Sequence, residues 1–135
     1  FEELRQDFEG AYYGMYFLEL ADYCTRENND EREVLKLLYQ SLRALTVKSI
    51  PRRLVRCIYE IRLIVANGEF PGLPQGNFSE TALYAVEFIA GTPVEKLYTF
   101  TLKEEVLAEL VQIAEKYRRD FLPGEFHTLE ILETL

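Results

Sequence analysis

The sequence has no tryptophan, one methionine and one histidine, and its two cysteines, Cys24 and Cys57, form no CxxC pair. Zinc sites need clustered cysteines and histidines, and a di-metal helical bundle needs paired Glu-x-x-His elements; neither pattern occurs. Both cysteines lie within apolar helical patterns, so they are expected to be reduced core thiols and a disulfide framework is excluded. The lone histidine, His127, is expected to be a surface or packing residue. No metal, cofactor or catalytic site is predicted.

Long apolar runs are also missing. No stretch approaches the roughly 20 residues of a transmembrane helix, and the charged opening FEELRQDFEG is unlike a signal peptide. The composition, 48% apolar and 28% charged, is that of an ordinary globular protein. Residues 1–135 are long enough to bury a core as a single domain without metal or disulfide staples. The net charge of −8 speaks against non-specific duplex DNA binding by the whole surface.

Apolar residues recur at helical spacing, which predicts an all-α bundle of about five to six helices. The predicted helices span residues 4–25, 31–45, 51–67, 79–89, 92–98 and 101–121, with one further packed turn in the tail. The predicted N-caps are Asp30, Ser79, Thr92 and Thr101. The predicted inward face of the first helix consists of Ala11, Met15, Leu18, Ala21 and Cys24, and the apolar surface is widened by Tyr12, Tyr13, Tyr16 and Phe17. The glycine- and proline-rich segment 68–77 is the one predicted internal loop.

The third helix, within IPRRLVRCIYEIRLIV at residues 50–65, is both apolar and basic. From Arg43 to Arg62 there are six Lys or Arg residues and one acid, a local charge of +5 in an acidic chain. The predicted apolar face consists of Leu54, Cys57, Ile58, Ile61, Ile64 and Val65, and the opposite face carries Arg52, Arg53, Arg56 and Glu60. Tyr59 and Leu63 lie beside Arg52 and Arg56, so apolar and basic side chains are expected to interleave there. The arginines either pair with acids of neighbouring helices or line a groove for an acidic, aromatic-ended peptide or a nucleic-acid backbone. The candidate binding residues are Lys48, Arg52, Arg53, Arg56, Tyr59, Arg62 and Leu63.

Several segments resemble one bacterial family. GMYFLELADYCTREN, LYQSLRAL and YEIRLIVANGEFP resemble the helical core of the RecO recombination mediators. The later run NFSETALYAVEFIAGTPVEKLYTFTLKEEVLAELVQIAEKYRRDF and the closing TLEIL resemble the C-terminal helices of that family, so the resemblance covers essentially the whole chain. The OB-fold barrel with which RecO proteins begin has no counterpart here. The four-cysteine zinc module that many members insert after GEFP, within the 68–77 break, is also missing.

The resemblance implies a non-catalytic role in recombinational DNA repair of the RecF pathway, in the bacterial cytoplasm near the nucleoid. Its implied partners are RecR, single-stranded DNA (weakly, without the barrel) and the acidic C-terminal tail of single-strand DNA-binding protein, which ends in phenylalanine. The implied anchor for that tail is an arginine just before the pair Tyr59-Glu60, and Arg56 lies nearest. The alternatives are a helical scaffold that joins protein partners without touching DNA, and a metal-dependent bundle enzyme, which the sequence supports weakly.

Overall fold

A computed structural model describes residues 2–26 and 31–135, and over these residues the chain is all-α. Its elements are α1 (Glu2–Thr25), α2 (Glu31–Ala44), α3 (Arg52–Ala66), α4 (Glu80–Gly91), a 3₁₀ turn (Val94–Lys96), α5 (Glu104–Phe121) and α6 (His127–Thr134). The predicted all-α bundle of about six helices is therefore confirmed. The predicted cap Asp30 lies outside the described residues.

Helix α3 lies at the centre of the bundle and packs against α1, α2, α4 and α5, while α1 also packs against α2 and α6. A helix that is apolar nearly all round is expected in this position. Apolar side chains are buried on nearly all sides of α3, including Val55, Tyr59 and Leu63, which lie outside the predicted apolar face, whereas Arg53 is exposed. Cys24 and Cys57 are both buried free thiols, as predicted.

Two glycines one helical turn apart let other groups approach α1 closely. A Cβ atom added at Gly14 would lie 3.7 Å from Cδ2 of Leu42 in α2. At Gly10 it would lie 2.8 Å from Nη2 of Arg52, closer than real Cβ contacts allow. The guanidinium group of Arg52 therefore rests directly on the backbone of α1.

The predicted inward face of α1 is partly wrong. Ala21 and Cys24 are buried, but Ala11, Met15 and Leu18 are exposed. The face that packs inward is largely aromatic and consists of Tyr13, Tyr16, Phe17, Leu20, Ala21 and Cys24. Because α1 has apolar residues on two sides, spacing alone does not identify the inner one. Aromatic rings remove the most apolar area from water, so their side is buried.

The predicted caps have mixed outcomes. Ser79 caps α4, because its side-chain oxygen accepts a hydrogen bond from the backbone N–H of Ala82. The predictions for Thr92 and Thr101 are wrong: the 3₁₀ turn begins after Pro93 and α5 begins after Lys103, and neither start has a side-chain cap. The tail forms two turns of helix rather than one. The Glu19 carboxylate of α1 accepts hydrogen bonds from the first backbone N–H groups of α6.

The connection between α3 and α4 is held against α5. Tyr117 donates a hydrogen bond of 2.6 Å from its hydroxyl to the carbonyl oxygen of Gly72, and its ring meets Phe70 edge to face. Gly72 has a φ of +88°, in the left-handed region that glycine adopts without strain. The predicted loop is thus an ordered path across the surface of the bundle.

Replacing Ser79 by alanine is expected to lower the free energy of unfolding by about 1 kcal/mol, the usual effect of losing an N-cap. Ser79 also donates two hydrogen bonds to Glu109 of α5, from its backbone N–H (2.7 Å) and from its hydroxyl (2.6 Å). These bonds lower the pKa of Glu109. The stability that these two hydrogen bonds contribute is therefore present at neutral pH, and it is lost as the pH falls through the pKa of Glu109 in the folded state.

Urea denaturation followed by circular dichroism measures this loss, and Thr101→Ala is the matched control because Thr101 caps no helix. If the two substitutions changed the urea midpoint equally, the capping role of Ser79 would be refuted.

Candidate binding surface

The positive segment, which contains Arg43, Lys48, Arg52 and Arg53, begins at the end of α2 and continues into the first turn of α3. Two turn hydrogen bonds, from Thr46 N to Arg43 O and from Ile50 N to Val47 O, close the chain between the helices. Pro51 has a φ of −59° and starts α3, where a proline removes no helical hydrogen bond. Arg43, Lys48 and Arg53 are exposed along this path, and Arg52 is half-buried.

Arg56 belongs to a buried polar cluster. The Glu60 carboxylate is only 2% exposed, and its Oε2 accepts hydrogen bonds from the Tyr16 hydroxyl (2.5 Å) and from Arg56 Nε (3.1 Å). The Nε atom of Arg118 lies 3.9 Å from the same oxygen. The Arg56 guanidinium also stands over the ring of Tyr16, 5.4 Å from its centroid. The cluster joins α1, α3 and α5 and holds the Arg56 guanidinium against Glu60 and Tyr16.

Tyr16 and Arg56 of this cluster both keep their protons at neutral pH. Burial raises the pKa of Tyr16 far above its usual value, and the Glu60 carboxylate raises it further, so the phenol keeps its proton and donates it. Burial by itself lowers the pKa of Arg56, but the Glu60 carboxylate outweighs that effect and the pKa stays above its usual value. A neutral donor and a cation therefore stabilise one buried carboxylate.

Tyr59 and Leu63 are fully buried, so the expected interleaving of apolar and basic side chains on the surface is not observed at these two positions. The Tyr59 hydroxyl donates a hydrogen bond of 2.6 Å to the carbonyl oxygen of Phe17, and the two rings stack with centroids 4.2 Å apart. A ligand could reach neither side chain without opening the core between α1 and α3.

Arg62 reaches from α3 to the end of α4. Its Nη1 donates to the carbonyl oxygens of Ile89 (2.9 Å) and Thr92 (2.5 Å), with a longer contact of 3.4 Å to Ala90. The last carbonyl groups of a helix have no partner within the helix, and a cation suits that end of the macrodipole. Burial lowers the pKa of Arg62. Arg62 thus lies apart from the exposed cations of the positive segment.

A small hollow of about 260 Å³ lies beside Arg53 and Arg56, between α3, α5 and α6. Its remaining lining is Cys57, Glu60, Val111, Glu115 and Glu133. Arg53 also pairs with Glu104 of α5 at 3.4 Å. Because three glutamates outnumber two arginines here, this hollow is unfavourable for an anion.

A larger open groove of about 970 Å³ lies between α1 and the α2–α3 turn, and we call it the turn groove. Its apolar lining consists of Leu42, Leu45, Val47, Ile50 and Pro51, together with Gly10 and Gly14. Lys48 and Arg52 supply two positive charges on the turn side, and Asp7 and Glu9 supply two negative charges on the α1 side. Arg52 lies 3.9 Å from Glu9 and donates to the carbonyl oxygen of Leu45 at 3.5 Å, so its position over Gly10 is fixed.

The family model described as "Recombination protein O C terminal" matches residues 5–76, just over half of the chain. The chain belongs to the RecO C-terminal family. Membership associates it with recombination and DNA repair, and every residue lining the turn groove lies within the matched stretch. No curated protein and no solved structure matches the chain.

The RecO match covers most of α1, all of α2 and α3, and most of the connection after α3. The turn groove lies between α1 and the turn that joins α2 to α3. The resemblance of the later helices to the family stays a prediction. Among the residues that the structure describes, no cluster of His, Cys, Asp and Glu has the geometry to hold a metal ion. No described helix is long and apolar enough to cross a membrane.

Two of the candidate binding residues of this RecO domain, Lys48 and Arg52, line the turn groove, and the sequence analysis named none of the apolar residues of its lining. The one available signal was the spacing of Gly10 and Gly14, since two small residues one turn apart allow close helix packing. That signal indicates close approach but does not show which helix approaches.

Proposed function

We propose that this domain is a non-catalytic docking module in recombinational repair, and that its turn groove receives the acidic C-terminal tail of single-strand DNA-binding protein. The observation that supports this proposal is an open groove with an apolar floor and with Lys48 and Arg52 on one rim. The phenylalanine ring at the end of the tail would pack against the apolar floor, and the terminal carboxylate would pair with the cations. We place the module in the bacterial cytoplasm, close to the nucleoid.

The charges of the groove set the direction of the tail. The terminal ring lies against Leu45 and Ile50, and the terminal carboxylate lies towards Arg52, whose guanidinium binds a carboxylate in bidentate fashion. Asp7 and Glu9 repel the acidic residues that precede the ring. The body of the tail therefore leaves the groove on the side of the turn, past Lys48.

The expected affinity is modest. Burying one phenylalanine contributes roughly 2–3 kcal/mol, and each exposed ion pair adds about 0.5 kcal/mol. Ordering the peptide opposes part of this gain. The dissociation constant is therefore expected to be on the order of micromolar or weaker, and binding weakens as added salt screens the charges.

Reversing the charge of Lys48 with Lys48→Glu is expected to weaken tail binding about tenfold, because an attractive contact becomes a repulsive one. Fluorescence anisotropy with a labelled acidic peptide that ends in phenylalanine measures the affinity. Lys116→Glu is the matched control, since Lys116 is an exposed lysine on α5, outside the turn groove. Equal affinities for the wild type and Lys48→Glu would remove the groove from the proposal.

A second peptide, ending in alanine instead of phenylalanine, separates the two halves of the site. Its affinity is expected to be at least tenfold lower, because the ring supplies most of the binding energy. If both peptides bound equally, the contact would be electrostatic only and the apolar floor would have no role.

The proposal includes auxiliary contacts with RecR and with single-stranded DNA through the exposed cations Arg43 and Arg53. A scaffold that joins proteins without touching DNA is the second candidate, and the three glutamates of the small hollow beside Arg53 favour it. Direct titration distinguishes the two functions. The fluorescence anisotropy of labelled single-stranded DNA rises on addition of the domain if these cations contact DNA, and stays unchanged if the domain contacts only proteins.

A further inference from the structure

The guanidinium group of Arg52 covers the bare backbone of α1 at Gly10. A Cβ atom added to Gly10 would lie 2.8 Å from Nη2, 3.0 Å from Cζ and 3.3 Å from Nη1 of Arg52, and these three atoms are its nearest neighbours. All three belong to one planar group, which therefore occupies the place where a side chain of residue 10 would begin. The position of the Arg52 charge depends on the absence of a side chain there.

This contact places a positive charge between the two walls of the turn groove. Gly10 and Arg52 both line the groove, and the Arg52 side chain is 27% exposed. Its Nε donates to the carbonyl oxygen of Leu45 on the turn side, at 3.5 Å, while the far end of the guanidinium touches α1. The Glu9 carboxylate lies 3.9 Å from Nη1, which is too long for a hydrogen bond. A ligand carboxylate at hydrogen-bonding distance would bind the guanidinium more closely than Glu9 does.

A charge that spans the groove discriminates between two kinds of carboxylate. The terminal carboxylate of a peptide can lie beside Arg52 while the ring of the same residue packs against the apolar lining. An acidic side chain in the middle of a peptide would bring the backbone on both of its sides into the groove, where Asp7 and Glu9 repel further acidic residues. Bidentate pairing of arginine with a carboxylate also requires a defined geometry. The position of the guanidinium therefore decides which carboxylate fits.

We propose that Gly10 is the positioning residue through which the turn groove selects a free terminal carboxylate. This inference rests on the proposed docking function, because its ligand is the same acidic tail. With alanine at residue 10, the contact to Arg52 has to lengthen from 2.8 Å to at least the 3.4 Å of an ordinary contact. That change exceeds the roughly 0.5 Å within which binding groups have to be held. Because the atoms that would clash are the far end of a flexible side chain, the backbone of α1 need not move.

Two peptides labelled at the N-terminus test the selection. One is the acidic peptide that ends in phenylalanine with a free carboxylate, and the other has the same sequence with a C-terminal amide. Fluorescence anisotropy is expected to show that the wild type binds the free carboxylate about fivefold more tightly than the amide. In Gly10→Ala this preference is expected to fall below about twofold. Gly91→Ala is the matched control, since a Cβ atom at this glycine of α4 meets nothing within 4 Å.

A double-mutant cycle shows whether Gly10 acts through Arg52. Arg52→Lys removes the planar fork of donors, so it is expected to reduce the preference for the free carboxylate by itself. Adding Gly10→Ala to this variant is expected to change the preference no further, because the two residues act as one unit. Since alanine favours helix more than glycine does, the urea midpoint of Gly10→Ala is expected to stay the same or to rise.

The outcomes separate this inference from the docking function. A wild type that binds neither peptide would refute the docking function, and the selection with it. A wild type that binds both peptides equally would refute the selection and leave the docking function standing. An undiminished preference in Gly10→Ala, a further loss on adding Gly10→Ala to Arg52→Lys, or a lower urea midpoint for Gly10→Ala would each overturn the positioning role of Gly10.

Discussion

Replacing Glu60 by alanine is expected to lower the free energy of unfolding by about 3 kcal/mol, because removing one partner of a buried ion pair leaves the others uncompensated. Glu60 is the shared acceptor for the Tyr16 hydroxyl and for Arg56. Without it, a buried phenol loses its hydrogen bond and two poorly exposed guanidinium groups face each other without a carboxylate. Urea denaturation followed by circular dichroism measures the loss.

Two further variants test whether the burial of Glu60 causes the expected loss of stability. Glu60→Gln keeps an oxygen acceptor for Tyr16, so its loss is expected to be smaller than that of Glu60→Ala. Glu115→Ala removes an exposed carboxylate that pairs with Arg119 within α5, and it is expected to cost less than about 0.5 kcal/mol. If Glu60→Ala cost no more than Glu115→Ala, the buried cluster would not be what stabilises the junction of α1, α3 and α5.

Replacing Arg62 by alanine is expected to lower the free energy of unfolding by about 2 kcal/mol. Hydrogen bonds to charged groups contribute about 1.5–3 kcal/mol each, and water reaches the half-buried end of α4 to replace part of what is lost. The carbonyl oxygens of Ile89 and Thr92 would both lose their guanidinium donor. Thermal and urea denaturation measure the effect.

Arg62→Lys is the informative companion variant, since a lysine keeps the charge but cannot reproduce the planar fork of donors. It is expected to recover part of the stability. Arg53→Ala is the matched control, because Arg53 makes an exposed ion pair on the same helix. An unchanged urea midpoint for Arg62→Ala would show that the end of α4 needs no cation from α3.

The sequence predicted α3 well because apolar residues lie on nearly all sides of this helix. That is a property of its composition, and it does not depend on which face is assumed to point inward. It also predicted the Ser79 cap, where a serine directly precedes a helical pattern. The same reasoning failed for α1, where Met15 and Leu18 have the same spacing as the residues that are buried. Periodicity locates an apolar stripe, but only the neighbouring helices decide which of two stripes is covered.

The candidate site was predicted in part for a related reason. A helical projection places Glu60 beside the arginines and therefore on the surface, yet it is buried. Whether a charged residue is buried depends on partners from distant elements, here Tyr16 and Arg118, which lie 44 and 58 positions away in the sequence. The turn groove could not be predicted for the same reason, because its two walls come together only when α1 packs on α2.

The hydrogen bond from Tyr117 to Gly72 has a consequence for how this architecture can be enlarged. This hydrogen bond holds the connection between α3 and α4 against α5 at Gly72. The next part of the connection, Gln75, Gly76 and Asn77, is exposed. We expect that extra polypeptide inserted at these three positions would leave both flanking helices in place. A whole module could then be added or removed here without a change in the core of the bundle.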